Sequence, residues 1–89
     1  VYKLNLNSKK TIETTSKDKK GNSLAYKKTI NTNLKIFSSN QLIQEANFSK
    51  SFNYKNISNK FNLKEYEKII EKNLIDKITE DITLILYNK

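Results

Sequence analysis

Three stretches of the chain alternate between apolar and polar residues with a period of two, which is typical of strands that bury one face. They cover about residues 2–12, 25–38 and 42–54, and in each the apolar residues fall mainly at even positions. We therefore predict three strands that turn one side toward a common core. The even residues expected there are Tyr2, Leu4, Leu6, Ile12, Tyr26, Ile30, Leu34, Ile36, Leu42, Ala46, Phe48, Phe52 and Tyr54.

Polar segments separate these strands. Residues 14–23 contain the single glycine, Gly21, and no apolar residue, so they are predicted to form a loop. Residues 39–41 are short enough to make the second and third strands a hairpin. Because both strands bury even positions, directly paired residues must sum to an even number. This favours a three- or five-residue loop over a two-residue turn, with Asn40 or Gln41 left-handed beside a bulge.

A long amphipathic helix is predicted over about residues 63–87. Asn62 is a candidate N-cap with Glu65 closing a capping box, and Phe61 can pack on Tyr66. Apolar residues then recur at spacings of three and four, and most charged residues, Glu71 and Asp81 among them, fall on the opposite side. The apolar positions are Leu63, Tyr66, Ile69, Ile70, Leu74, Ile75, Ile78, Ile82, Ile85 and Leu86.

These elements predict an α+β fold with two layers, in which a three-stranded, mainly antiparallel sheet packs on one long C-terminal helix. The 89 residues are expected to form a single domain over residues 1–89. The chain starts at Val1 already inside a strand pattern, so we expect it to be a fragment whose N-terminal portion is missing.

The residue types present argue against catalysis. His and Cys are absent, so the usual general bases, nucleophiles and zinc ligands are missing. One glycine cannot build a phosphate-binding loop. We therefore predict a protein that is not an enzyme and that has no cofactor and no metal site.

The positive charge is concentrated in the predicted sheet. All basic residues are lysines, and residues 1–60 carry a net charge of +9 whereas residues 61–89 carry −1, within a total of +8. The odd-numbered side of the strands is also rich in asparagine, although asparagine is depleted in strands generally. This side is either an ordinary solvated face or a hydrophilic wall that contacts another polar surface. Its asparagines are Asn5, Asn7, Asn31, Asn33, Asn47 and Asn53.

The order of these features resembles the LPS-assembly lipoprotein family, LptE. The stretches that carry the likeness are Ala25-Tyr26 leading into Ile30–Phe37, the polar turn Ser38–Gln41, the strand that closes on Phe52-Asn53-Tyr54, and the helix that ends with Ile75–Leu86. The likeness covers nearly all of this chain but only the later part of that family. Family members begin with a lipidated cysteine, a further strand and a first helix, none of which is found here.

The resemblance implies a non-enzymatic assembly factor at the outer membrane. Its partner would be the LptD barrel, in which family members sit as a plug, and its ligand would be lipopolysaccharide. The expected location is the periplasmic side of the outer membrane, through an N-terminal lipid anchor that this chain does not contain. Lipid A phosphates are anionic, so clustered lysines are the candidate binding residues: Lys17, Lys19, Lys20, Lys27 and Lys28.

Two other functions remain open from the sequence. The first is a basic nucleic-acid-binding module, which a pI near 9.7 permits. Most aromatic residues fall on the side predicted to be core, however, and arginine is absent, so nucleic acid is not the expected partner. The second is a generic secreted adaptor or a cystatin-like inhibitor domain. Such inhibitors place the helix before most strands, whereas here the helix comes last.

Overall fold

A computed structural model describes residues 2–87 and contains three strands followed by one helix. The strands are β1 (Tyr2–Lys17), β2 (Ser23–Ser38) and β3 (Gln41–Lys55), and the helix is α1 (Lys60–Tyr87). The strands form one antiparallel sheet in the order β1-β2-β3, which leaves β1 and β3 as its edges. The predicted α+β architecture, with a three-stranded sheet and one C-terminal helix, is confirmed.

The elements are longer than predicted at several ends. β1 continues to Lys17 instead of ending near residue 12, so the loop is reduced to residues 18–22. The Ser and Thr residues that read as loop are paired with the start of β2, and the register shifts beyond Thr14 allow the strand to bend there. Gly21 has a φ of 89° and provides the left-handed position of the turn.

The β2–β3 hairpin has a two-residue turn, so the predicted three- or five-residue loop is wrong. Ser39 and Asn40 have φ angles of 52° and 63°, as both central residues of a type I′ turn require. The parity is restored by a register shift between Ile36 and Phe37, because Phe37 pairs with Leu42 while Ile36 pairs with Gln44. A bulge in β3 therefore supplies the extra residue that we had expected in the loop.

The helix begins three residues earlier than predicted. The side chain of Asn59 accepts a hydrogen bond from the Asn62 amide at 3.1 Å, and its carbonyl accepts one from Leu63 at 3.0 Å. Asn59 is therefore the N-cap, and the assignment of that role to Asn62 is wrong. The predicted staple also fails, because Phe61 is strongly exposed.

The core lies between α1 and the strands β2 and β3. Its buried members are Ile30 and Tyr54 from the sheet and Ile70, Leu74 and Ile78 from the helix. Partly buried residues pack around them: Tyr26, Phe48, Leu63, Tyr66 and Ile82. In β2, Leu34 is fully buried and Asn31 is exposed, so the predicted inward orientation of the even positions is confirmed for this strand.

The helix does not cover the whole sheet. Every residue of β1 is exposed, including Leu4 and Leu6 on the helix side, and Phe52 of β3 is 44% exposed. The prediction that these residues belong to the core is wrong. A helix about 10 Å across spans roughly two strands at a spacing of about 4.8 Å, so α1 over β2 and β3 leaves the third strand uncovered.

Candidate functional site

Four of the five candidate lysines lie at the end of the sheet that holds the β1–β2 turn. Lys17 ends β1, Lys19 and Lys20 are in the turn, and Lys27 is near the start of β2. Among residues 2–87 these four lysines make no ion pair. Their ammonium groups therefore give this end of the molecule a positive surface. We call these four residues the lysine end.

The only acid inside the turn, Asp18, is engaged by the turn itself. Its Oδ1 accepts hydrogen bonds from the amides of Lys20 at 2.9 Å and Asn22 at 2.8 Å, and its Oδ2 accepts one from Asn22 Nδ2 at 3.1 Å. The backbone and side-chain hydrogen bonds from Asn22 lower the pKa of Asp18 below its usual value. Asp18 thus fixes the shape of the turn that presents Lys19 and Lys20.

Lys28 is separated from the other candidates because it lies on the helix side of the sheet. It is buried, and its Nζ lies 3.2 Å from Glu71 Oε1 of α1. The sequence grouped Lys28 with Lys27 by clustering, but adjacent strand residues point to opposite faces. The structure therefore gives Lys28 a role in holding the helix on the sheet and does not place it at the lysine end.

One lysine that the sequence argument missed lies near this end. Lys55, the last residue of β3, is paired with Ala25 and is therefore a diagonal neighbour of Lys27 on the outer face. Two features of the sequence could have identified Lys55: its odd position, which assigns it to the outer face, and its place at the end of the third strand. They were overlooked because the clustering was judged along the chain and not across the sheet.

The outer face of the sheet is polar across all three strands. Asn7, Asn33 and Asn47 are in register and form a row from one edge to the other. Asn33 Nδ2 donates to Asn47 Oδ1 and to Glu45 Oε2, both at 2.8 Å. A shallow trough of about 530 Å³ runs along this row, and Lys9, Asn31 and Ser49 also line it.

This outer face is suited to polar contacts, and the tyrosines that pack together in the described part of the chain lie on the other side of the sheet. Tyr26 and Tyr54 have their rings 5.5 Å apart on the helix side, and Tyr54 makes an edge contact with Tyr66 of α1. The nucleic-acid alternative required aromatic side chains on the basic face. Phe37 is the one aromatic residue that its odd position assigns to that face.

The ionisable groups near the core are engaged in packing α1 on the sheet. The Tyr54 hydroxyl donates to Glu67 Oε2 at 2.5 Å. Burial is the main cause that raises the pKa of Tyr54, and this hydrogen bond is the next.

Within residues 2–87 there is no cluster of three or more Asp, Glu, His or Cys side chains that could hold a metal ion. No helix in that range combines the length and apolar character needed to cross a membrane.

Comparison with known proteins found no family model that matches the chain and no curated protein with significant similarity to it.

Proposed function

We propose that this chain is a non-enzymatic assembly factor of the LptE type, which binds inside or against an outer-membrane barrel of the LptD type and takes part in lipopolysaccharide transport. The observation that carries the proposal is the asparagine row Asn7, Asn33 and Asn47 on a sheet face that α1 leaves open. Each amide offers a donor and an acceptor, so this face suits a polar, hydrated wall.

The shape of the domain supports such a role. It measures 56 × 20 × 18 Å, so it is a narrow rod with one polar side and one helix-covered side. The interior of a large outer-membrane barrel is polar and wet, and an element inserted there must expose hydrophilic side chains to it. A plug of this type needs no catalytic residue.

The lysine end supplies the second part of the proposal. Lys17, Lys19, Lys20 and Lys27 make no ion pair within residues 2–87 and present positive charge at one end of the rod, where they would bind the phosphate groups of lipid A. The expected location is the periplasmic side of the outer membrane.

The test is co-purification from envelope extracts in mild detergent. We expect the tagged chain to elute with a large β-barrel protein of the LptD type. Asn31→Trp, which places a bulky ring in the outer trough, should abolish that association. Asn73→Trp is the matched control, because Asn73 is also exposed but lies on α1.

Two results of this experiment would contradict different parts of the proposal. If the wild-type domain elutes alone, the proposed partnership is wrong. If both tryptophan variants lose the barrel equally, the outer face is not the contact surface. Circular dichroism of each variant would establish that the loss is not due to unfolding.

A further inference from the structure

Strand β1 has both an open backbone edge and exposed apolar side chains. Within residues 2–87, β1 pairs only with β2, so its other backbone edge has no strand beside it, and every residue from Tyr2 to Lys17 is exposed. Its helix-side residues nevertheless include apolar ones, and Leu4 and Ile12 are 43% and 49% exposed. A free edge with apolar side chains is a template for a further strand.

The other edge of the sheet is less suitable. Helix α1 packs on β3, and the register shift opposite Ile36 and Phe37 disturbs one end of that strand. The register of β1 with β2 is continuous from Tyr2 to Thr14. Proline, which would block a ladder, is absent from the chain. β1 therefore offers the longer uninterrupted register, from Tyr2 to Thr14 against Gln44 to Lys55 in β3.

We propose that β1 pairs antiparallel with β1 of a second copy of this chain, around a two-fold axis at Ser8. The result is a continuous six-stranded sheet in the order β3-β2-β1-β1-β2-β3. This interface forms through the free backbone edge of β1, whereas the proposed function uses side chains of the outer face, and different variants test the two.

The position of the axis follows from charge. A two-fold axis at Ser8 places Lys3 opposite Glu13 of the second copy, and the symmetry creates this opposite-charge pair twice. An axis at Lys9 or at Lys10 would place that lysine opposite itself. Across the residues from Tyr2 to Thr14, the Ser8 axis brings no two lysines face to face.

Two other axes, at Asn7 and at Thr11, fit less well. An axis at Asn7 puts Leu4 opposite Lys10 and gives Glu13 no lysine. An axis at Thr11 would pair Lys9 with Glu13, but it draws the irregular segment beyond Thr14 into the ladder. The Ser8 axis uses the regular part of the strand alone.

The same register matches the apolar residues. Leu4 of one copy faces Ile12 of the other on the helix side, and this contact also occurs twice. Leu6 faces Lys10, whose methylene groups can cover it while the ammonium stays near Glu71, 3.1 Å away. A groove of about 320 Å³ between β1 and α1, lined by Leu6, Ile75 and Ile82 among others, lies directly beside these contacts.

A charge-swap experiment tests the pairing. Analytical ultracentrifugation of the wild-type chain should show a monomer–dimer equilibrium. Lys3→Glu and Glu13→Lys should each raise the dimer dissociation constant by about tenfold or more, since each creates two like-charge pairs. The double variant, Lys3→Glu with Glu13→Lys, should recover the wild-type constant. A wild-type chain that stays monomeric, or a double variant without recovery, overturns the proposal.

A cysteine scan tests the axis. The chain contains no cysteine, so Asn7→Cys, Ser8→Cys and Lys9→Cys each introduce a single thiol. Residues directly opposite in an antiparallel pair have Cα atoms about 4.5–5.5 Å apart, within disulfide range. Ser8→Cys should form a covalent dimer faster than its two neighbours and faster than Ser49→Cys on β3, the control. Preferential cross-linking at any of the other three positions would overturn the proposed axis.

Discussion

Glu71 of the helix lies 3.2 Å from Lys28 of the central strand and 3.1 Å from Lys10 of β1, measured from Oε1 to each Nζ. Sequence periodicity had placed Glu71 on the solvent side of α1. One carboxylate therefore joins the helix to two strands, including the strand that α1 does not cover. Asp81 makes a similar contact with Lys50 of β3 at 3.1 Å.

The first prediction concerns this ion pair. Glu71→Gln should lower the free energy of unfolding by about 2 kcal/mol, because it leaves the buried Lys28 ammonium without its carboxylate. The partial exposure of Glu71 keeps the cost below that of a fully buried pair. Urea unfolding measures it. Glu65→Gln, which removes the exposed Glu65–Lys68 contact, is the control and should change stability by less than about 0.5 kcal/mol.

The same carboxylate should make stability depend on acid. Hydrogen bonds from Lys10 and then Lys28 lower the pKa of Glu71 below its usual value near 4.5. A lowered folded-state pKa stabilises the fold at pH values above the ordinary pKa, and this contribution is lost as the pH falls through the folded-state pKa. The stability gap between wild type and Glu71→Gln should therefore be constant near neutral pH and shrink in acid. A gap that does not change with pH would contradict this assignment.

The second prediction compares the stability lost by truncating a core residue with that lost at the edge of the core. Leu74→Ala should cost about 3 kcal/mol, because Leu74 is almost completely buried against Ile30 and Tyr54. Phe52→Ala should cost markedly less, about 1 kcal/mol, since nearly half of that ring already contacts solvent. Thermal or urea unfolding of the two variants side by side provides the measurement. Equal losses would mean that α1 covers Phe52 in solution.

The sequence was sufficient for the architecture because strand and helix periods are local properties. Spacing alone predicted that Ile30, Leu34 and Tyr54 lie on the inner face of the sheet and that Ile70, Leu74 and Ile78 lie on the apolar stripe of the helix. These residues form the buried interior. The exposure of β1 was not predictable in the same way. The alternation of apolar and polar residues predicts the face of the sheet on which a residue lies. It does not predict whether another element covers that face.

The candidate site was only partly accessible to sequence reasoning. Clustering along the chain grouped Lys17, Lys19 and Lys20, and the structure places these three at the same turn because they are neighbours in the sequence. It failed for Lys28, because strand geometry sends Lys27 and Lys28 to opposite faces, and it missed Lys55, whose proximity depends on the register of β3. Helix-side partners such as Glu71 could be identified only once the packing of α1 was known.

The third prediction concerns the start of the helix. Asn59→Ala should destabilise the protein by about 1 kcal/mol, because it removes the side-chain oxygen that caps the Asn62 amide. Asn62→Ala is the matched control and should have little effect, since Asn62 lies inside the first turn. Loss of helical signal on heating, followed by circular dichroism, measures both. A larger effect at Asn62 would restore the cap assignment that the sequence first favoured.

The last prediction addresses the lysine end. Replacing Lys17, Lys19 and Lys20 together by Glu should weaken binding to phosphorylated lipid A by at least about tenfold, because three positive charges near the phosphates become negative. Binding of the wild-type chain should fall as salt is raised, since exposed charges are screened. The fold should survive, because all three side chains are exposed.

A matched variant isolates position from net charge. Replacing Lys68, Lys72 and Lys77 by Glu produces the same change in total charge on the exposed side of α1, two turns or more beyond the start of the helix. If binding depends on the lysine end, this helix variant should retain most of the affinity, and dephosphorylated lipid A should bind both variants and the wild type weakly. Equal losses in the two triple variants would show that the attraction is nonspecific. An unchanged affinity in the turn variant would show that Lys17, Lys19 and Lys20 are only solvated charges.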